Sequence, residues 1–127
     1  LMEMGHGDEL VIADGNFPAA SLARRLVRSD GNSATRLLEA ILKFFPLDPY
    51  VDHPVALMEV VPGDTYKPAI WEKYKKIIQR TSNKNKSVET IERFEFYERA
   101  KTAYTVIATS ETALYANILL KKGVVKE

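Results

Sequence analysis

Met4-Gly5-His6-Gly7-Asp8-Glu9-Leu10-Val11-Ile12-Ala13-Asp14-Gly15-Asn16-Phe17-Pro18 joins a polar loop, carrying an imidazole and two acids, to a short apolar strand near residues 9–13. Leu10 to Ala13 are apolar at every position rather than at alternate ones. That pattern fits a strand buried on both faces. Asp14 follows at its carboxyl end, where open α/β sheets place their ligands. Glycines on both sides leave the His6 ring uncrowded. A histidine and an acid therefore bracket one buried strand.

Working outward, Ala19 to Val27 can be read in two ways. Leu22, Leu26 and Val27 could stripe a helix, or Leu26-Val27-Arg28 could be a short strand stopped by Ser29-Asp30-Gly31; an irregular entry followed by a strand is the reading adopted. Ser33 to Phe45 repeats Leu37, Leu38, Ile41, Leu42 and Phe45 at helical spacing, with Asn32 or Ser33 as cap and Pro46 as stop. A proline-punctuated loop leads to a buried strand over 55–61, which ends at Pro62-Gly63-Asp64-Thr65. Pro68 to Arg80 is a second amphipathic helix with Ile70, Trp71, Tyr74, Ile77 and Ile78 inward, and Glu72 is spaced to pair with Lys76. Thr81 to Ser87, with Lys84 and Lys86, is a solvated loop. A helix is expected over 93–101, then strands over 103–109 and 116–121 around a Ser110-Glu111-Thr112 turn. Strands interleaved with amphipathic helices mean an α/β layered sandwich. The last two strands are too close in sequence for a helical crossover, so the sheet is mixed.

Length and composition narrow the function. A chain of 127 residues with 46% hydrophobic and 28% charged residues makes one ordinary globular domain, over 1–127. A net charge of +1 argues against nucleic acid or a membrane surface as the main partner. The chain has no cysteine, which excludes disulfides and cysteine metal sites and suits the cytoplasm. No apolar run reaches membrane-spanning length and no signal peptide is visible. The start at Leu1 raises the expectation of a missing short N-terminal segment.

Four motifs now carry a resemblance: Met4-Gly5-His6-Gly7-Asp8-Glu9, Asp14-x-Asn16-Phe17-Pro18, Arg93-Phe94-x-Phe96-Tyr97-Glu98-Arg99-Ala100, and the run from Glu111 through Tyr115, Ala116 and Asn117 to Val124. In order and spacing, over nearly the whole chain, they resemble the fucose mutarotase branch of the ribose pyranase/fucose mutarotase family. The resemblance implies a single-domain three-layer α/β/α sandwich with a mixed sheet. It implies a homo-oligomer, dimer up to decamer, that interconverts the α and β anomers of a free monosaccharide, L-fucose for this branch. No metal and no organic cofactor are implied. By resemblance His6 is the general acid/base, and Asp14, Tyr115 and Asn117 bind the sugar. Asp48 and Tyr97 stand at positions that both bind and assist catalysis, and Met58 lines the site. Arg93 stands where fucose-type members carry arginine and ribose-type members histidine.

The chemistry of these residue types is compatible. Ring opening protonates the ring oxygen while the anomeric hydroxyl loses its proton; the aldehyde carbon rotates and recloses on the other face. Histidine is the side chain whose unperturbed pKa lies nearest neutral pH. Asp14 or Asp48 can accept from sugar hydroxyls or orient the imidazole. Tyr97 and Tyr115 offer a hydroxyl and an apolar ring, and Asn117 can bridge two hydroxyls. Read without the resemblance, each has a plainer role. His6 is then a surface-loop residue, Asp14 and Asp48 are turn formers beside Asn16 and Pro49, the tyrosines are core or interface aromatics, and Arg93 pairs with Glu89 or Glu92. Glu59 needs a partner or exposure, and His53 is structural or incidental. A metal site finds no ligand spacing between His6 and His53. The glycines around His6 precede a strand, whereas a dinucleotide loop follows one. Two alternatives to the mutarotase stay open: a non-catalytic sugar-binding module, and ring-size interconversion of ribose.

Overall fold

In the computed structural model, which describes residues 3–124, the bracketed strand is β1 (Glu9–Ala13), lying inside a six-stranded sheet. The other elements follow as α1 (Ala19–Leu22), β2 (Leu26–Ser29), α2 (Ala34–Leu42), β3 (Val55–Met58), α3 (Ala69–Gln79), β4 (Val88–Ile91), α4 (Arg93–Thr102), β5 (Thr105–Thr109) and β6 (Ile118–Lys121). The strand order is β2-β5-β1-β6-β3-β4. β1 is parallel to β5 and antiparallel to β6; β6 is also antiparallel to β3, and the two edge pairs are parallel. The sheet is mixed, as expected. β5 and β6 do run in opposite directions, but with β1 between them rather than as a hairpin.

Alternation along β1 divides the interior into two cores. Leu10 and Ile12 join Leu38, Ile41, Tyr74 and Ile78 of α2 and α3 on one face. Val11 and Ala13 join Ala19, Phe96 and Ala100 of α1 and α4 on the other. Both faces of the sheet are thus covered, giving the α/β/α arrangement, and β1 is apolar throughout for that reason. Ser33 caps α2 by accepting from Arg36 N–H, and Glu92 caps α4 by accepting from Phe94 and Glu95. No helix among the described residues is long and apolar enough to cross a membrane.

Several boundaries differ from the sequence reading. β3 stops at Met58, so Glu59 is exposed, and Val60 and Val61 leave the sheet. β6 begins at Ile118, because Tyr115 has φ 57°, which breaks a strand three residues earlier. β4 has no counterpart in the expected strands: it is an edge strand with only Ile91 buried, so no continuous apolar run marks it. Glu72 pairs with Lys75 at 3.7 Å, not with Lys76. Glu89 pairs with Arg99, which also holds Glu9, while Arg93 lies over the Phe94 ring at 4.6 Å. His53 Nδ1 shares a 2.7 Å hydrogen bond with Ser87.

One close approach fixes the end of the sheet where β1 begins. Gly123 N–H donates to Pro46 O at 2.8 Å, and a Cβ at residue 123 would stand 2.7 Å from Leu47 O and 3.2 Å from Asp48 Cα. These neighbours are backbone and cannot rotate aside. Gly123→Ala should destabilise the protein by about 1–3 kcal/mol, the usual cost of overpacking. A denaturant midpoint no lower than that of the unsubstituted protein would contradict this.

Candidate sugar-binding site

The carboxyl end of β1 is tied to the loop before β6 by two side chains. Asp14 N–H donates to Asn117 Oδ1 at 2.8 Å, and Asp14 Oδ2 accepts from Ala116 N–H at 3.3 Å. Asp14 Oδ1 accepts from Asn16 N–H at 3.0 Å, which turns the chain toward Phe17. Both side chains are buried. Burial raises the Asp14 pKa above the ordinary 3.8; the N–H groups of Asn16, Ala116 and Phe17 oppose this, and the charge of Glu111 adds to it. From below, Trp71 Nε1 donates to Tyr115 O at 2.8 Å and Tyr74 Oη donates to Ala116 O. Residues read from sequence only as the inward stripe of α3 thus also hold the backbone of the site.

Around Asp14 and Asn117 lies a cavity of about 260 Å³. Met58, Arg93, Tyr97 and Tyr115 line it with them, so six of the expected site residues meet there. The volume is below the roughly 300–1,000 Å³ of drug-sized pockets, a scale suited to one small polar ring. Phe17 meets the edge of Tyr97 at 5.5 Å and of Phe96 at 5.9 Å, fixing one wall. Asn16, Phe17, Val61, Asp64 and Leu114 complete the lining. Reading the sequence alone did not assign these five; the Pro62-Gly63-Asp64 turn and the Asn16-Phe17-Pro18 motif were the available signals. A larger cavity, about 620 Å³, lies between the carboxyl ends of α2 and α3 and contains none of the expected residues.

His6 and Asp48 are elsewhere. They lie at the amino end of β1, separated from Asp14 by roughly 17 Å of strand at about 3.3 Å per residue. His6 Nε2 stands 3.3 Å from Asp48 Oδ1, which also accepts from Tyr50 N–H at 2.9 Å. The edge of Tyr50 meets the imidazole at 5.8 Å. His6 is half exposed and Asp48 is buried. Of the two acids considered as partners for the imidazole, Asp48 holds that place and Asp14 does not. Desolvation pushes the Asp48 pKa upward, but the hydrogen bonds from Tyr50 and His6, with the charges of His6 and Lys121, outweigh it and hold the value below 3.8.

The sign of that shift fixes a pH dependence. Stability contributed by ionised Asp48 is fully present above its unfolded pKa of about 3.9 and is lost as pH falls through its lower folded value. Asp14 is shifted the other way, so its ionisation costs stability as pH rises through the folded value. Between about pH 4 and pH 2 the unfolding midpoint should therefore fall more steeply for the unsubstituted protein than for Asp48→Asn. Parallel acid profiles would contradict it. Among the described residues no three His, Asp or Glu side chains converge as a metal-ligand set.

Comparisons with known proteins identify the family and the fold. The model of the RbsD / FucU transport protein family matches residues 1–125. An L-fucose mutarotase of Actinobacillus pleuropneumoniae serotype 5b (strain L20) is 50% identical over 124 residues, covering 98% of this chain and 86% of that protein. The fucose mutarotase of Homo sapiens is 50% identical over 130 residues, covering 98% and 84%. The crystal structure of a fucose mutarotase from Streptococcus pneumoniae in complex with L-fucose superimposes with TM-score 0.94 at 51% identity, over 98% of this chain and 89% of that one.

Proposed function

The chain belongs to the RbsD / FucU transport protein family, and from that membership and its pocket we propose that it is an isomerase, a mutarotase that interconverts the α and β anomers of L-fucose. The observation that carries this reading is the Asp14–Asn117 pocket at the carboxyl end of β1, in a fold nearly superimposable on a fucose mutarotase solved with L-fucose. Asp14, Asn117, Tyr115 and Arg93 hydrogen-bond the sugar hydroxyls. Met58, Phe17 and Val61 meet its C–H face and its methyl group. Tyr97 faces the sugar from α4 and can hand a proton to or from a hydroxyl.

Ring opening needs a proton delivered to the ring oxygen and one removed from the anomeric hydroxyl. His6 performs this exchange, and Asp48 holds its ring in place. The length of β1 puts that pair out of reach of the pocket on its own chain. The catalytic site is therefore completed by a second copy, whose His6 end faces the pocket, and the protein is a homo-oligomer. Exposed apolar side chains favour this: Tyr50 beside His6 is 79% exposed, Leu114 in the pocket lining 48%, and Phe94, against the pocket's Tyr97, 60%. A cysteine-free chain acting on a free sugar is assigned to the cytoplasm.

Saturation transfer between the anomeric protons of L-fucose tests the proposal. The expected result is exchange that rises with protein concentration, and more for L-fucose than for D-ribose. A larger effect on ribose would move the substrate. Sugar binding without faster exchange would favour a non-catalytic module, a reading that the separation of His6 from the pocket keeps in view.

A further inference from the structure

On the far wall of the pocket, the turn after β3 reaches Tyr115. Gly63 has φ +91° and Asp64 N–H returns to Val61 O at 3.0 Å, so the chain folds back sharply there. Asp64 Oδ1 accepts from Tyr66 N–H at 2.9 Å, which orients the carboxylate and leaves Oδ2 for a second donor. That donor is the Tyr115 hydroxyl, at 3.2 Å. The Tyr66 ring stacks on Tyr115, with centroids 6.0 Å apart and planes 29° off parallel. Val61 N–H approaches the same hydroxyl at 3.4 Å. Tyr115 is also the one non-glycine with positive φ among the described residues, and its carbonyl is held by Trp71. Its backbone is fixed from α3, and its phenol from the 61–66 turn.

We propose that Asp64 is a positioning residue that sets the hydrogen-bond polarity of Tyr115 toward the sugar. This rests on the reading of the pocket as the sugar site. A phenol has one proton and two lone pairs. An ionised carboxylate only accepts, so the Tyr115 proton is committed to Asp64. One lone pair faces Val61 N–H, and the other is left to accept from a sugar hydroxyl. Tyr115 thus selects a substrate that presents a donor at that point and disfavours one that presents only an acceptor. Asp64 borders the pocket, and its effect on the sugar runs through Tyr115.

Asp64→Asn separates polarity from shape. The amide oxygen can still take Tyr66 N–H, which turns the NH₂ toward Tyr115 and reverses the roles. Tyr115 then accepts from residue 64 and points its proton at the sugar hydroxyl. The expected result is an increase of about tenfold in KM and in Kd for L-fucose, with kcat changed by less than about threefold, the scale of one mispaired hydrogen bond. The thermal midpoint should be unchanged. In a Tyr115→Phe background, which lacks the hydroxyl, Asp64→Asn should have no further effect.

Three outcomes overturn the proposal. The first is an Asp64→Asn protein that matches the unsubstituted one in KM and Kd. The second is an effect that persists in full on Tyr115→Phe, meaning that Asp64 touches the sugar itself. The third is a KM effect that follows a loss of stability, as a merely structural role would give. The unsubstituted protein is assayed first, so failure of the mutarotase reading is seen separately. If that protein binds L-fucose without catalysing exchange, the cycle is read in Kd alone. If it does not bind L-fucose, the proposal falls with the site.

Discussion

His6→Ala should lower catalysed exchange of L-fucose anomers by about 10²–10⁴-fold, the range associated with a positioned general acid/base. It should leave the fold and the affinity for the sugar nearly intact. His6 lies on a turn between two glycines and is half exposed, so its removal opens no cavity. Among the described residues its side chain makes one polar contact, with Asp48. That carboxylate keeps Tyr50 N–H, and Asp48 N–H still donates to Lys121 O. The residues that hold the sugar hydroxyls lie at the other end of β1 and keep their own hydrogen bonds, so L-fucose titrations should give nearly the same Kd although a second copy's His6 faces the pocket. The paired measurement is saturation transfer for rate and titration for affinity. A folded His6→Ala protein with undiminished exchange would remove the histidine from the mechanism. Proton handling would then fall to Tyr97 and Asp14. A loss of affinity equal to the loss of rate would instead mean that His6 contacts the sugar in its ground state.

The contrast between the two ends of β1 also shows what could be read from residues alone. Leu10-Val11-Ile12-Ala13 announced a strand covered on both faces, because each face of the sheet meets a helix pair and every position is apolar. The β3 and β5 runs were legible for the same reason. β4 was not: at a sheet edge its Val88, Glu89 and Thr90 remain partly or fully exposed, and the usual apolar run is missing. Strand order was not legible either. Nothing in the sequence of β6 says that it inserts between β1 and β3, since pairing is decided by contacts far apart in the chain. The ambiguous segment 19–27 became a one-turn helix leading into the expected short strand, here an exposed edge strand, both too short for a clear periodicity.

The site divides in a similar way. Asp14 at a strand end was readable from position, and its neighbours Tyr115 and Asn117 came from the motif resemblance. The pairing of His6 with Asp48 joins residues 42 positions apart and needs the fold, which brings loop 46–50 against the start of β1 through Lys121 and Lys122. Trp71 and Tyr74 fit a helical stripe so well that their polar tips passed unnoticed. Asp64 was legible only as a turn, because its partner hydroxyl lies 51 residues away.

Two inactive variants should restore each other. Arg93→Ala removes the cation that lines the pocket, and among the described residues Arg93 is held by nothing stronger than its contact with the Phe94 ring. The fold should therefore survive, while sugar binding and exchange fall by about 100-fold, as expected when a charged hydrogen bond is lost. His6→Ala fails for the opposite reason, with a sound pocket and no acid/base. If each site is built from the pocket of one copy and the His6 end of another, co-expression produces mixed oligomers in which some sites draw Arg93 from one variant and His6 from the other. With random assembly at equal expression, roughly a quarter of the sites carry both native residues. Tandem purification of doubly tagged mixed oligomers removes the inactive homo-oligomers, so their exchange should reach about a quarter of the native rate for a large ring and about a half for a dimer, far above either parent. A site confined to one chain permits no such recovery, because every chain carries one defect. Mixed oligomers no more active than the average of the two parents would therefore rule out a site shared between copies.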